Sequence, residues 1–274
     1  MRWALGALIV VGASAAMVAA VLRVRRRAPD GGYFNDGDRA AGVFGVLATG
    51  FALLLGFVIF LAFTKYDESR AGAEAEALAV VQLFETAQLM PSGASSELSG
   101  GVECYARSVV NLEWPAMETG RGSETISPWG LSMFRTLQAV EPKTAAEQSA
   151  YDSWLAQTNA REEARLDRLH AAEGIVPLPM WIVLLLSAAL VLAYLLFYAD
   201  SGERALVQGV LVGSVTAVIV ASLLVLSSLN RPYDQDLGGI RPVAMQRSLE
   251  IIQSARAALD LQEPLPCDEV GQPL

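Results

Sequence analysis

Three arginines, Arg161, Arg165 and Arg168, recur at spacings of four and three, so a helix would carry them on one face. Glu162, Glu163 and Asp167 are interleaved with them, which reads as a salt-bridged surface. A sharper reading is that an oligomer repeats these guanidiniums around an axis and draws anions toward a pore. Cys104 and Cys267 could be joined in a disulfide if their compartment is oxidising, or could be two buried thiols. The single histidine, His170, lies in the charged stretch Arg168-Leu169-His170 and reads as a solvated side chain. Glu74 with Glu76, and Glu162 with Glu163, read as charge runs on exposed helix faces. The chain contains no HExxH, CxxC, GxGxxG or Walker-type loop, so it points to neither an enzyme nor a cofactor.

The elements that must position these groups are dominated by apolar runs. The chain has 274 residues, 53% hydrophobic and 18% charged, with a positive mean hydropathy. That balance belongs to a polytopic membrane protein. Four runs, 3–22, 41–64, 178–198 and 206–229, contain no Asp, Glu, Lys, Arg or His. Each is long enough, at about 1.5 Å per residue, to cross a hydrocarbon core of about 30 Å. Arg23, Arg25, Arg26 and Arg27 follow the first run directly, which marks a retained anchor and not a cleaved leader. The run from Ala41 continues through Lys65-Tyr66-Asp67-Glu68-Ser69-Arg70 into alanine-rich sequence up to Pro91, one long helix that crosses and projects.

Orientation follows from the basic residues. The loop 23–40 carries five arginines, against Arg2 and the amino terminus ahead of the first span. The positive-inside rule places that loop, and the turn 200–204, in the cytoplasm. The N-terminus, the segment 65–177 and the tail 230–274 then lie outside. That outer part holds 24 acids and 14 bases, a net charge of −10, which argues against nucleic acid as a partner.

Outside the spans, helical patterning continues. Leu98, Val102, Tyr105, Val109 and Leu112 mark one amphipathic face, which Glu113-Trp114-Pro115 should interrupt. A short helix is predicted around Leu131 to Val140. Thr144-Ala145-Ala146-Glu147 is a capping box that opens a long helix to about Ala172. A last amphipathic helix over 242–262 is expected to dock on this bundle. In the fourth span Gly209 and Gly213 form a GxxxG, a surface on which another helix can approach closely. Its contact could lie within one subunit or between subunits.

Several short motifs carry a family resemblance. They are Asn35-Asp36 with Ala41-Gly42-Val43-Phe44, Tyr66-Asp67-Glu68-Ser69-Arg70 with Glu76-Ala77, Glu113-Trp114-Pro115, Arg165-Leu166-Asp167-Arg168-Leu169, Pro179-Met180-Trp181 and Arg231-Pro232-Tyr233. In this order the chain resembles the bestrophin-like family of domain-of-unknown-function membrane proteins. The resemblance implies a distant similarity to bestrophins, pentameric anion channels with four membrane helices per subunit. The stretch after the fourth span is similar to the bestrophin Asn-Pro-Phe-Gly turn and the acidic calcium clasp behind it. Here the glycine is missing and only Asp234 and Asp236 are acidic, so these two are the whole of the metal candidacy. Bestrophins also hold their large domain in the cytosol, whereas the arginine count here places it outside.

The expectation is therefore an all-α membrane protein of four spans, with an extramembrane helical bundle and a helical tail. Its function would be an oligomeric channel for small anions, pentameric if the resemblance holds. The alternative is a non-conducting scaffold or sensor whose outer bundle binds a partner or ligand. Arg165, Arg168 and Arg231 are the arginines expected nearest the outer mouth. Charge-free spans speak against a proton-coupled transporter or voltage sensor, which need ionisable groups within the membrane.

Overall fold

A computed structural model describes residues 3–29, 32–119, 127–234 and 238–274. Among them the secondary structure is helical, with a lone antiparallel bridge between Cys267 and Pro273. The helices are α1 (Trp3–Arg25), α2 (Gly37–Ala87), α3 (Ser92–Ser108), α4 (Trp114–Glu118), α5 (Pro128–Gln138), α6 (Ala145–Ala172), α7 (Leu178–Phe197), α8 (Ala205–Leu229) and α9 (Val243–Ala258). The chain divides into two compact units. The first is formed mainly by Met1–Thr64 and Ile175–Asn230, the second by Lys65–Gly174, Arg231–Gln235 and Gly239–Leu274. Helix α2 contributes its first half to one unit and its second half to the other.

In the first unit α1, α2, α7 and α8 are each long and apolar enough to span a membrane. Only 6% to 22% of their most apolar windows is buried within the chain. Lipid or further copies must therefore cover the rest. Phe51, Leu55, Val58 and Ala62 of α2 pack with Leu184, Ala188 and Val191 of α7 and with Ile219 and Leu226 of α8. Helix α1 packs chiefly on α8, where the small residues of α8 receive Val18. A Cβ on Gly209 would lie 3.4 Å from Val18 Cγ1, and one on Gly213 3.2 Å from Val18 Cγ2. So the GxxxG face is occupied within the subunit. Gly213→Leu should overpack this contact and lower stability by about 1–3 kcal/mol in detergent, and Val18→Ala should recover part of the loss. A Gly213→Leu protein that melts like wild type would show that the contact is slack.

Two polar clamps close this unit. Arg25 Nη2 donates to the carbonyls of Ser201 (2.9 Å) and Glu203 (2.5 Å), tying the end of α1 to the α7–α8 turn. At the opposite ends of α7 and α8, Asn230 Oδ1 accepts from the amides of Ile175 (3.0 Å) and Val176 (2.6 Å).

The second unit has its own core of Val80, Leu83, Phe84, Leu98, Val102, Tyr105, Trp154 and Ile252. The capping box is present: Thr144 Oγ1 accepts from the Glu147 amide, and Glu147 Oε2 from the Thr144 amide. Helix α5 starts at Pro128, earlier than patterning indicates, because Ser127 caps it through the Gly130 amide. Helix α9 stops at Ala258, short of 262. Asp260 takes φ of 53°, and the amides of Leu261 and Asp260 bind the carbonyls of Arg256 and Ala257, a Schellman ending.

Glu113-Trp114-Pro115 does not interrupt its helix. Helix α3 runs into a π-helical turn, Val109–Glu113, which passes directly into α4. The Trp114 amide binds the Val109 carbonyl five residues back. The wider turn carries a proline that an α-helical register would reject, since proline lacks the amide and crowds the carbonyl four residues earlier.

Candidate functional site

The π-helical turn sets Glu113 on the inside of the second unit, where it meets two arginines from α6. Arg165 donates from Nε (3.1 Å) and Nη2 (2.7 Å) to Glu113 Oε1. Arg168 Nη2 donates to Glu113 Oε2 at 2.6 Å. The same Arg168 forms a forked pair with Glu76 of α2, Nε to Oε2 at 2.6 Å and Nη2 to Oε1 at 2.9 Å. Tyr105 of α3 donates to Glu76 Oε1 at 2.5 Å. Arg168 and Glu76 are both 0% exposed. Glu76 is therefore not the surface charge its sequence neighbourhood indicates. It falls in the apolar stripe Ala73, Ala77, Val80 of α2 and is carried into the core with it.

Aromatic rings line this network. Arg168 lies over Trp114 at 5.3 Å from the ring centroid, and Arg161, also buried, over Tyr105 at 4.7 Å. Arg161 Nη2 pairs outward with Glu162 at 3.0 Å. Trp114 donates its indole hydrogen to the Ile240 carbonyl (3.1 Å) and meets Tyr233 edge-on. Tyr233 in turn donates to the Ser69 carbonyl at 3.0 Å. Burial would raise the Glu113 carboxyl, but Arg168 and Arg165 outweigh it and hold the group below the usual carboxylate range. Burial, reinforced by Glu76, pushes the Tyr105 phenol well above its usual value. Burial likewise raises Tyr233. At neutral pH Glu113 is thus an anion and both phenols are neutral donors, a fixed arrangement of charge.

The structure corrects the expectation for Arg165 and Arg168. They share a helix face, yet that face is buried, and Glu113 and Glu76 match both charges. Neither presents a free cation to a pore mouth. Arg231 is exposed. His170 is exposed as well.

A second ionic cluster fastens the tail. Buried Glu103 pairs with Arg107 at 2.7 Å and with Arg256 of α9 at 3.1 Å. Beside it Cys104 of α3 is joined to Cys267 by a disulfide, with the Cα atoms 5.8 Å apart. Trp129 then donates to the Gly271 carbonyl at 2.7 Å. Gly271 has φ of 90°, and a Cβ there would stand 2.4 Å from the Ser108 amide nitrogen, so only glycine fits.

Asp234 lines a cavity of about 410 Å³ together with Glu118, Trp114, Tyr233 and Arg241. Asp236 lies outside the described residues. Among the described residues no three carboxylate, histidine or cysteine side chains converge, and Arg241 brings a cation to the same lining.

Four of the six motifs that carry the family resemblance meet in this one cluster. Ser69, Glu76, Glu113-Trp114, Arg165 with Arg168, and Tyr233 are far apart in the chain and touch here. The model of the bestrophin-like domain matches residues 8–243. The chain belongs to the bestrophin-like family. Solved structures agree at the level of fold. One form of a bacterial bestrophin homologue from Klebsiella pneumoniae, carrying a single substitution, aligns at a TM-score of 0.63 and 12% identity, over 90% of this chain and 98% of that one. A second substituted form gives 0.62 at 12% identity, over 89% and 98%. A crystal structure described only as a membrane protein gives 0.60 at 13% identity, over 95% and 98%. A search of curated proteins finds no matching sequence. In this bestrophin-like chain, four of those motifs supply the buried Glu76–Arg168–Glu113–Arg165 network and its aromatic lining.

Proposed function

We propose that this chain is the subunit of an oligomeric membrane channel for small anions. The observation that carries the reading is the bestrophin-like match along nearly the whole chain, residues 8–243. The spans favour it, because most of their apolar surface is left for lipid and neighbouring copies to cover. Pentamers are the expected assembly, by analogy with bestrophins. Any selectivity at the outer mouth then rests on exposed cations such as Arg231, since Arg165 and Arg168 are engaged inside the second unit.

The second unit is proposed to face away from the cytoplasm, opposite to the bestrophin arrangement. The arginine-rich loop 23–40 favours that orientation, and so does the Cys104–Cys267 disulfide, which persists in oxidising compartments. A reporter active only outside the cytoplasm should work when fused after Leu274 and stay silent in the 23–40 loop. The reverse pattern would overturn the orientation.

Conduction is tested with purified protein in planar bilayers. An anion-selective current is expected. Arg231→Glu should move its reversal potential toward cations, more at low salt than at high, because the Debye length shrinks from about 30 Å at 0.01 M to about 3 Å at 1 M. Well-folded oligomers that carry no current across voltages would favour a non-conducting scaffold.

A further inference from the structure

Helix α1 closes on Arg23 and Arg25, and Arg26 and Arg27 follow in a turn whose Arg27 amide binds the Val24 carbonyl at 2.9 Å. One of these arginines holds the fold. Arg25 is half-buried and donates to the carbonyls of Ser201 and Glu203, which fastens this end of α1 to the α7–α8 turn. Val21 and Val24 carry the inward face, packed with Leu195, Ala199 and Val212. Arg23, Arg26 and Arg27 are exposed. Among the described residues, no hydrogen bond or ion pair engages their side chains. The acids of this end stand elsewhere. Asp36 and Asp38 lie at the start of α2, where Asp36 accepts from the Arg39 amide at 2.9 Å. Asp200 and Glu203 lie in the α7–α8 turn and accept from the amides of Gly202 and Arg204. The helix macrodipole does not account for three further cations, since a C-terminus amounts to about half an elementary charge.

Aromatic rings mark the depth of this end. Tyr33 meets Phe197 edge-on at 6.3 Å, and Phe34 lies 5.1 Å from Tyr198. Tyr33 and Phe197 are 42% and 53% exposed. Such rings at the end of an apolar span settle at headgroup level. The run 3–22 of α1 carries no charge, so the arginines that close it reach the same level. Only 6% of the most apolar window of α1 is buried, which leaves its flank open to acyl chains. Guanidinium forks match phosphate oxygens in pairs. A zwitterionic headgroup brings its own ammonium, which the unpaired guanidiniums repel. A soluble phosphate gains nothing from the apolar flank.

We propose that Arg23, Arg26 and Arg27 form a recognition surface for the headgroup phosphate of an anionic phospholipid, whose acyl chains lie along α1. Arg25 holds the surface in place through the α7–α8 turn.

The test uses the full chain in detergent, titrated with phosphatidylglycerol or phosphatidylcholine, with native mass spectrometry counting the lipids bound. Phosphatidylglycerol should bind about tenfold or more tighter. Arg23→Gln, Arg26→Gln and Arg27→Gln should each weaken it about fivefold, the scale of one basic side chain at a membrane surface. The three together should erase the preference, with helical circular dichroism retained, whereas Arg135→Gln in the second unit should leave it unchanged. Lysine at all three positions preserves charge and should keep phosphatidylglycerol ahead of phosphatidylcholine. In the wild-type chain the preference should shrink as ammonium acetate rises from about 0.1 M to about 1 M, where the Debye length falls from about 10 Å to about 3 Å. Inorganic phosphate at matched ionic strength should not displace the lipid; displacement would make this a soluble-anion site and overturn the lipid assignment. Equal affinity for the two lipids, a preference indifferent to salt or to the triple glutamine variant, or its loss in the lysine variant would overturn the proposal.

Discussion

Replacing Arg168 by methionine is expected to destabilise the second unit by about 3–5 kcal/mol, the cost of breaking a buried ion pair from one side. Methionine fills much of the space but leaves Glu76 and Glu113 in the core without their shared guanidinium. The loss should appear as a lower thermal midpoint in mild detergent, read by circular dichroism. It should also depend on pH in a defined direction. In the native chain Glu113 is held below the usual carboxylate range, so its contribution is full above the unfolded value and is lost as pH falls through the depressed folded value. Without Arg168, burial is opposed only by Arg165, and the Glu113 carboxyl rises. The deficit of the variant against wild type should therefore narrow as pH is lowered from about 7 toward the carboxylate range. Adding Glu76→Gln to Arg168→Met should recover part of the loss, because a neutral amide is less costly to bury than an unpaired anion. A single-variant loss below about 1 kcal/mol would show that the network is not a principal support of this unit.

Removing the Cys104–Cys267 disulfide should lower stability by about 2–5 kcal/mol. It closes a loop with a sequence separation of 163, so the chain-entropy estimate lies near the upper end of that range. Cys104→Ser with Cys267→Ser tests it, read as the thermal midpoint against wild type under the same conditions. The tail should not come free at once, since Trp129 still holds the Gly271 carbonyl and Arg256 still holds Glu103. Chemistry provides an independent check. Denatured, unreduced protein should take up no alkylating reagent, and two equivalents after reduction. Two equivalents without reduction would mean that the thiols are free and that this support for an extracytoplasmic second unit is gone.

The amino-acid sequence by itself determined the four spans, because charge-free runs of bilayer length have few other stable homes in water or lipid. It determined the capping box of α6, where both partners sit within four residues. It also carried the family, through short motifs in a fixed order. Tertiary structure alone decided what those motifs do. Arg168 meets Glu76 across 92 residues and Glu113 across 55, and no local pattern separates a solvated charge from a buried, paired one. The one available cue was positional: Glu76 lies in the stripe Ala73, Ala77 and Val80, the face that goes inward. The same holds at Pro115, which reads as a helix stop until a π-helical turn removes the clash and swings Glu113 into the core. The Gly209–Gly213 face could have served a neighbouring subunit, and the position of Val18 assigned it to α1. In each case the sequence supplied the groups, and the deciding quantity was a distance between residues far apart in the chain, which only packing sets.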